Sequence, residues 1–128
     1  MLRSYNWSVP WEVEFTDEFE SWWDSLSETE QGRIDARVQL LEERGPNLLF
    51  PFSSQIKTSR FPEMRELRSQ VKGDPLRVLY AFDPRRTALL LVRGNKAGED
   101  RWYEVNVPIA DRLFSEHLKT IARAVEQS

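Results

Sequence analysis

Cysteine is missing from this chain, and histidine is nearly so, with His117 the single example. The first absence excludes disulfides, thiolate nucleophiles and cysteine-based metal sites. The second leaves one imidazole on an amphipathic C-terminal segment, between Glu116 and Leu118, where a structural role is the expectation. No apolar run approaches the roughly 20 residues of a membrane span; the longest, Ala88 to Val92, suits a buried strand. The opening MLRSYNWSVPWEVEF lacks a continuous apolar signal core, so a cytoplasmic location is expected. Walker loops, G-x-G-x-x-G, H-E-x-x-H and EF-hand patterns are absent as well, so the chain is expected to use neither metal nor cofactor.

The most informative feature present is a ladder of cations inside apolar, strand-like segments. Arg65 and Arg68 lie in MRELRSQV, Arg77 in LRVLYAFD, and Arg93 and Lys96 in ALLLVRGNK. If the turn at Lys72-Gly73-Asp74-Pro75 centres a hairpin between Lys72 and Gly73, counting outward sets Arg68 directly opposite Arg77. Like charges opposed in this way are destabilising. A polyanion such as an RNA backbone would relieve the repulsion by placing a phosphate between two guanidinium forks.

Charge is also segregated along the chain. The net value is −3, but residues 1–50 hold 4 Lys/Arg against 11 Asp/Glu, residues 51–110 hold 11 against 7, and residues 111–128 hold 3 of each. An acidic helical layer behind a basic sheet would keep a local anion site despite the acidic balance, because attraction follows the field within a Debye length of ~8 Å.

At 128 residues one domain is expected over residues 11–128, after an extension at residues 1–10. Trp11-Glu12-Val13-Glu14-Phe15 alternates as a half-buried strand, with Trp11, Val13 and Phe15 inward. Thr16 can cap a first helix to about Leu26, with Phe19, Trp22, Trp23 and Leu26 as its apolar stripe. Ser27-Glu28-Thr29-Glu30 is a capping box opening a second helix that stops at Gly45-Pro46. Residues 46–63 read as a long loop anchored by Phe50, Phe52, Ile56 and Phe61. Three antiparallel strands follow at about 64–71, 76–83 and 87–93, and then a helix with Pro108 at its first position. The expected order is β-α-α-β-β-β-α in an α+β fold, with two N-terminal helices and a C-terminal helix on a small antiparallel sheet. Leu67, Val78 and Tyr80 should face the helices. Glu66, Arg68 and Arg77 should share the other face as a shallow, cation-lined groove.

An E-L-R strand, a turn, an R-V-x-Y strand and an apolar strand ending in Gly and Lys, all after two helices, resemble the RelE/ParE toxin superfamily. The resemblance is carried by Met64-Arg65-Glu66-Leu67-Arg68, Arg77-Val78-Leu79-Tyr80-Ala81-Phe82-Asp83 and Gly94-Asn95-Lys96, and is nearest to the HigB-like toxins of phage-derived addiction modules. It implies a type II toxin–antitoxin toxin that cleaves mRNA without a metal, often on the ribosome. It also implies a cognate antitoxin, HigA-like, with a helix-turn-helix.

Such cleavage uses the neighbouring 2′-hydroxyl as nucleophile, and preorganised cations stabilise the charged transition state. Arg77 and Arg68 are the candidates for that role, and Lys96 and Tyr103 for the proton transfers. Lys57, Arg65 and Arg93 are candidate RNA contacts. Each cation has a plainer alternative as a sheet ion pair or a solvated turn residue. Some toxins of this kind use a histidine, which residues 1–116 do not supply; Asp83, Glu99 and Asp100 stand in reserve as carboxylates. Two other functions stay open: a ParE-like inhibitor of DNA gyrase, and a relative that has lost catalysis and only binds its partner. The adjacent Trp22 and Trp23 cannot both point into one core, and one of them, or Trp7, is a candidate antitoxin contact.

Overall fold

The computed structural model describes residues 11–127; the proposed extension at 1–10, with Trp7, lies outside them. The elements are β1 (Val13–Phe15), α1 (Asp17–Ser25), α2 (Glu28–Arg44), β2 (Ser53–Gln55), β3 (Arg65–Val71), β4 (Asp74–Phe82), β5 (Ala88–Asn95) and α3 (Trp102–Gln127). Both N-terminal helix caps form as their sequences dictate. The Thr16 hydroxyl accepts the Phe19 amide at 3.1 Å and donates to the Leu91 carbonyl at 2.7 Å, tying α1 to β5. Ser27 and Glu30 exchange reciprocal bonds of 3.2 and 2.9 Å at the start of α2, satisfying amides that a helix end leaves open.

The sheet runs β1-β5-β4-β3-β2. Its central hairpin turns on Lys72 and Gly73, both at positive φ (51° and 87°), the conformation that matches the twist of a two-residue hairpin. Arg68 pairs with Arg77, Leu67 with Val78 and Glu66 with Leu79, as the outward count requires.

Three elements differ from expectation. β1 adds to β5 in parallel, through Val13↔Ala88 and Phe15↔Leu90, so the five-stranded sheet is mixed rather than antiparallel throughout. A short strand, β2, lies within the segment read as loop. Ser53-Ser54-Gln55 carries no apolar alternation; it is strand because the open edge of β3 supplies partners, with Arg68 N–H donating to Phe52 O and Ile56 N–H to Met64 O. Finally, α3 begins at Trp102, and Pro108 sits inside it. The missing Pro108 amide and its ring work against an interior position, but Trp102, 5% exposed, packs against Gly94 and holds the added turns. An added Cβ at Gly94 would lie 2.5 Å from the Trp102 indole nitrogen.

Two cores flank the sheet. Leu67, Val78 and Tyr80 pack with Phe19, Trp22, Ile34 and Leu41 under α1 and α2. Leu79, Ala81 and Leu91 pack with Trp102, Val107 and Phe114 under α3. The second face is therefore no open groove. α3 covers it from Leu79 on, and only the end bearing Glu66, Arg68 and Arg77 stays polar. Phe15 and Phe50, expected to face inward, are 53% and 70% exposed.

Candidate functional site

Alternation along β3 puts Glu66 and Arg68 on the α3 face, where pairing brings Arg77 opposite Arg68 and Ser54 of β2 opposite Glu66. The first turn of α3 adds Tyr103 and the end of β5 leads to Lys96. Glu66 is the hub. Its Oε1 accepts the Tyr103 hydroxyl at 2.7 Å, and its Oε2 accepts the Ser54 hydroxyl at 2.7 Å and Arg68 Nη1 at 3.2 Å. Arg77 Nε lies 3.5 Å from Oε1, an ion contact beyond good hydrogen-bond length, so this nitrogen has no hydrogen-bond partner among the described residues.

The carboxylate thus sits between two like charges and offsets the repulsion expected of their pairing. The two guanidiniums differ in access: Arg68 has 28% of its side chain exposed and Arg77 8%. Arg77 Nη1 also donates to the carbonyls of Ser69 and Leu76, at 3.2 and 2.9 Å, which fixes it in the sheet. Burial raises the Tyr103 hydroxyl above its ordinary pKa, and the Glu66 carboxylate raises it further, against a smaller lowering by Arg77. The phenol therefore stays protonated at neutral pH. Three of the sequence candidates, Arg68, Arg77 and Tyr103, thus converge on one buried carboxylate, and the fourth, Lys96, stands beside the phenol, its ammonium 5.2 Å from the centre of the Tyr103 ring.

The other candidates fall elsewhere. Arg65 turns to the α1–α2 face, where its Nε donates to Ser53 Oγ at 3.0 Å and its Nη2 to Leu48 O at 3.3 Å. Arg93 pairs with Val78 and so also faces away; its guanidinium lies 5.1 Å over the Trp22 ring, and burial lowers its pKa. Trp22 is consequently buried, and its neighbour Trp23 is the more exposed of the two. Lys57 is exposed just beyond β2. Asp83 lies six residues along β4 from Arg77, ~20 Å at strand rise. There it accepts from Arg85 Nη2 and His117 Nε2, both at 2.8 Å, and Arg85 also reaches Glu14 at 2.7 Å. This network joins β1, the β4–β5 turn and α3, and gives His117 a structural role. Glu99 accepts the Arg101 amide at 3.0 Å.

The alternation of β3 places Glu66 on this face, but Glu66 is not among the site residues expected from the sequence. The signal was available: in the same register, Glu66 is diagonal to Arg77, within reach on one face.

Residues 21–115 match the family described as Phage derived protein Gp49-like (DUF891). The chain belongs to the Gp49-like family. HigB2 of Mycobacterium tuberculosis (strain ATCC 25618 / H37Rv), named as a toxin, is 37% identical to this Gp49-like chain over 113 residues, which are 87% of the chain and 56% of HigB2. The chain thus spans about half the length of that relative. HigB3 of the same organism, also named as a toxin, is 41% identical over 104 residues, 77% of the chain and 90% of HigB3. A mutant of E. coli toxin RelE in the free state superposes with a TM-score of 0.57 at 12% identity, over 79% of the Gp49-like chain and 99% of RelE. The Gp49-like chain therefore has the RelE-type α+β fold. Among the described residues no helix is long and apolar enough to cross a membrane.

Proposed function

We propose that this chain is the toxin of a type II toxin–antitoxin pair, a metal-independent endoribonuclease that cleaves mRNA on the ribosome in the cytoplasm, its activity carried by the domain at residues 11–128. The observation that supports it most is the buried Glu66 carboxylate, bonded to Tyr103 and flanked by Arg68 and Arg77, with Lys96 beside the phenol.

Cleavage proceeds by attack of a 2′-oxygen on the adjacent phosphorus. The Tyr103 oxygen takes the 2′-hydroxyl proton while its own proton passes to Glu66 Oε1, 2.7 Å away. This relay suits a phenol whose pKa is raised, since no free phenolate is needed. The 2′-O–P bond forms, the P–O5′ bond breaks, and the Lys96 ammonium protonates the departing 5′-oxygen. Arg77 and Arg68 meet the charge that develops on the phosphoryl oxygens, in positions already fixed by the sheet. The products are a 2′,3′-cyclic phosphate and a 5′-hydroxyl. Inducing the gene alone and mapping RNA 5′ ends tests this: new 5′-hydroxyl ends that vanish in Tyr103→Phe are expected. Growth arrest with intact mRNA would instead favour a gyrase-type inhibitor, and no arrest would leave only a partner-binding relative.

The antitoxin, in this proposal a HigA-like helix-turn-helix protein, docks away from the Glu66 site. A groove of about 350 Å³ lies between α1, α2 and β1, floored by Phe19, Trp23 and Val38. Glu20, Asp24, Asp35 and Glu42 rim it, and among the described residues no cation lines it. Charge complementarity selects a basic, amphipathic antitoxin segment. Trp23→Ala and Asp35→Lys should each weaken co-purification with the neighbouring gene product; unchanged affinity in both variants removes this surface from consideration.

A further inference from the structure

Where β2 ends, the edge of β3 turns from paired strand to open backbone. Phe52 O is the last strand-side partner, accepting the Arg68 amide at 2.8 Å, and the preceding Pro51 has no N–H to continue the ladder. The Arg68 carbonyl is taken instead by a side chain from another layer: Arg37 of α2 donates its Nε to it at 2.7 Å. The same guanidinium lies 4.9 Å over the Phe52 ring. Packing and one backbone bond thus fix Arg37, and its two terminal nitrogens have no partner among the described residues.

Arg37 faces a cavity of about 210 Å³ that it lines with Arg68, Arg77, Ser69 and Gln70. Among the described residues no carboxylate lines the cavity. Its volume is about seven waters' share of liquid, room for a phosphate group and its bridging waters. Ser69 Oγ is buried and has no hydrogen-bond partner among the described residues, a state that calls for a water or ligand. Burial, reinforced by the charge of Arg33, disfavours the Arg37 cation, and a bound anion would reverse that. Arg68 and Arg77 form the shared wall between this cavity and the Glu66 cluster, so two anions can sit side by side across them.

We propose that this cavity is a second phosphate site, in which Arg37, with Ser69 and Gln70, binds the phosphodiester next to the one that is cleaved. The inference rests on the RNA-cleavage reading above and extends it: the enzyme grips the strand at two successive phosphates, and Arg37 acts in binding rather than chemistry. Arg37 is therefore a substrate-positioning residue outside the catalytic cluster.

The test uses the full chain and a short 2′-O-methyl RNA, which cannot be cleaved, with affinity read by fluorescence anisotropy across a salt series. Arg37→Gln should weaken binding about tenfold and lower the slope of log affinity against log salt by about 0.7, the value for one phosphate contact on a single strand. Gln70→Glu leaves Arg37 and its packing intact but sets a negative charge in the cavity, and should weaken binding in the same direction. For Arg37→Gln the cleavage rate at saturating RNA should stay within about threefold of wild type, so that the loss falls on KM rather than kcat. Wild-type affinity and salt slope in both variants would overturn the inference. The binding arm does not need catalysis: a wild-type chain that binds RNA with these differences yet never cuts it removes the nuclease reading and leaves the phosphate site standing.

Discussion

Replacing Glu66 with Gln keeps the shape of the side chain and removes its charge. Two consequences follow from the contacts. One carboxylate oxygen becomes an NH2 group, which then faces donors on either side, Tyr103 and Arg77 at Oε1 or Ser54 and Arg68 at Oε2. The Arg77 guanidinium, with 8% of its side chain exposed, also loses its only anion among the described residues. Removing one member of a buried ion pair costs about 3–5 kcal/mol, and the lower end applies here because Arg68 can still turn to solvent. For 128 residues the unfolding entropy is about 270 cal/mol/K, so 3 kcal/mol lowers Tm by about 11 °C. Arg68→Gln removes the exposed member and should cost no more than about 1 kcal/mol. Circular dichroism melts of both variants at pH 7 provide the comparison. The reasoning fails if Glu66→Gln melts within about 3 °C of wild type, since the two arginines would then not depend on that carboxylate. Cleavage at a temperature where the variant is folded should fall about 10²-fold or more, through loss of the proton acceptor.

Tyr103→Phe removes the relay but leaves the charges in place; single-turnover cleavage should drop about 10²-fold, with a stability loss of about 1–2 kcal/mol in urea melts. Arg93→Ala should lower stability through the lost stack on Trp22 while leaving single-turnover cleavage near wild type, whereas Arg77→Ala should abolish cleavage; equal loss in both would contradict their placement on opposite faces. Gly94→Ala drives a Cβ into the Trp102 indole, and should cost about 1–3 kcal/mol by overpacking and reduce cleavage by displacing Tyr103, as melts and rates on one sample would reveal. Burial pushes the Asp83 carboxyl up, but bonds from Arg85, His117 and the Arg85 and Thr87 amides outweigh it and hold the group below its usual range. A depressed folded pKa gives stability that is complete above the unfolded value of about 3.9 and is lost as pH falls through the folded one. Asp83→Asn should therefore flatten the acid limb of a Tm-against-pH curve below about pH 4; an unchanged limb would show that other carboxylates set it.

What could be read from the sequence was what depends on neighbours in the chain. Both helix starts are local chemistry, an oxygen at Thr16 or Ser27 meeting an amide three residues on. The Arg68–Arg77 pairing is equally local, because a two-residue turn at Lys72-Gly73 fixes the register of everything beyond it. The illegible parts were decided across the sheet. Nothing within Ser53-Ser54-Gln55 marks a strand; the free edge of β3 makes it one. Pro108 signals a helix start by propensity, yet the fit of Trp102 against Gly94 in β5 moves that start six residues upstream. The same limit governed the site. Alternation gave Glu66, Arg68 and Arg77 a common face, but Arg65 and Arg93, equally basic and equally strand-borne, differ from them only in parity and in which layer they meet. Arg37 could not be found at all, because its carbonyl partner lies 31 residues away on another element.

The ladder of cations is therefore two devices rather than one. Arg65 and Arg93 are held on the α1–α2 face by a hydroxyl, a carbonyl and an indole ring, and there they brace the fold. On the other face the like-charge pair Arg68–Arg77 would be a liability alone, and an anionic substrate need not be present to relieve it, since Glu66 does so in the resting protein. For the proposed cleavage that arrangement has a consequence. Groups whose repulsion is already balanced keep their positions before substrate arrives, so little reorganisation would be needed when charge develops on the phosphoryl oxygens. In the proposed cleavage it would also divide the labour between them: Arg68, the more exposed, would meet the incoming phosphate first, whereas Arg77, locked to two carbonyls and to Glu66, would be the fixed charge against which the transition state forms.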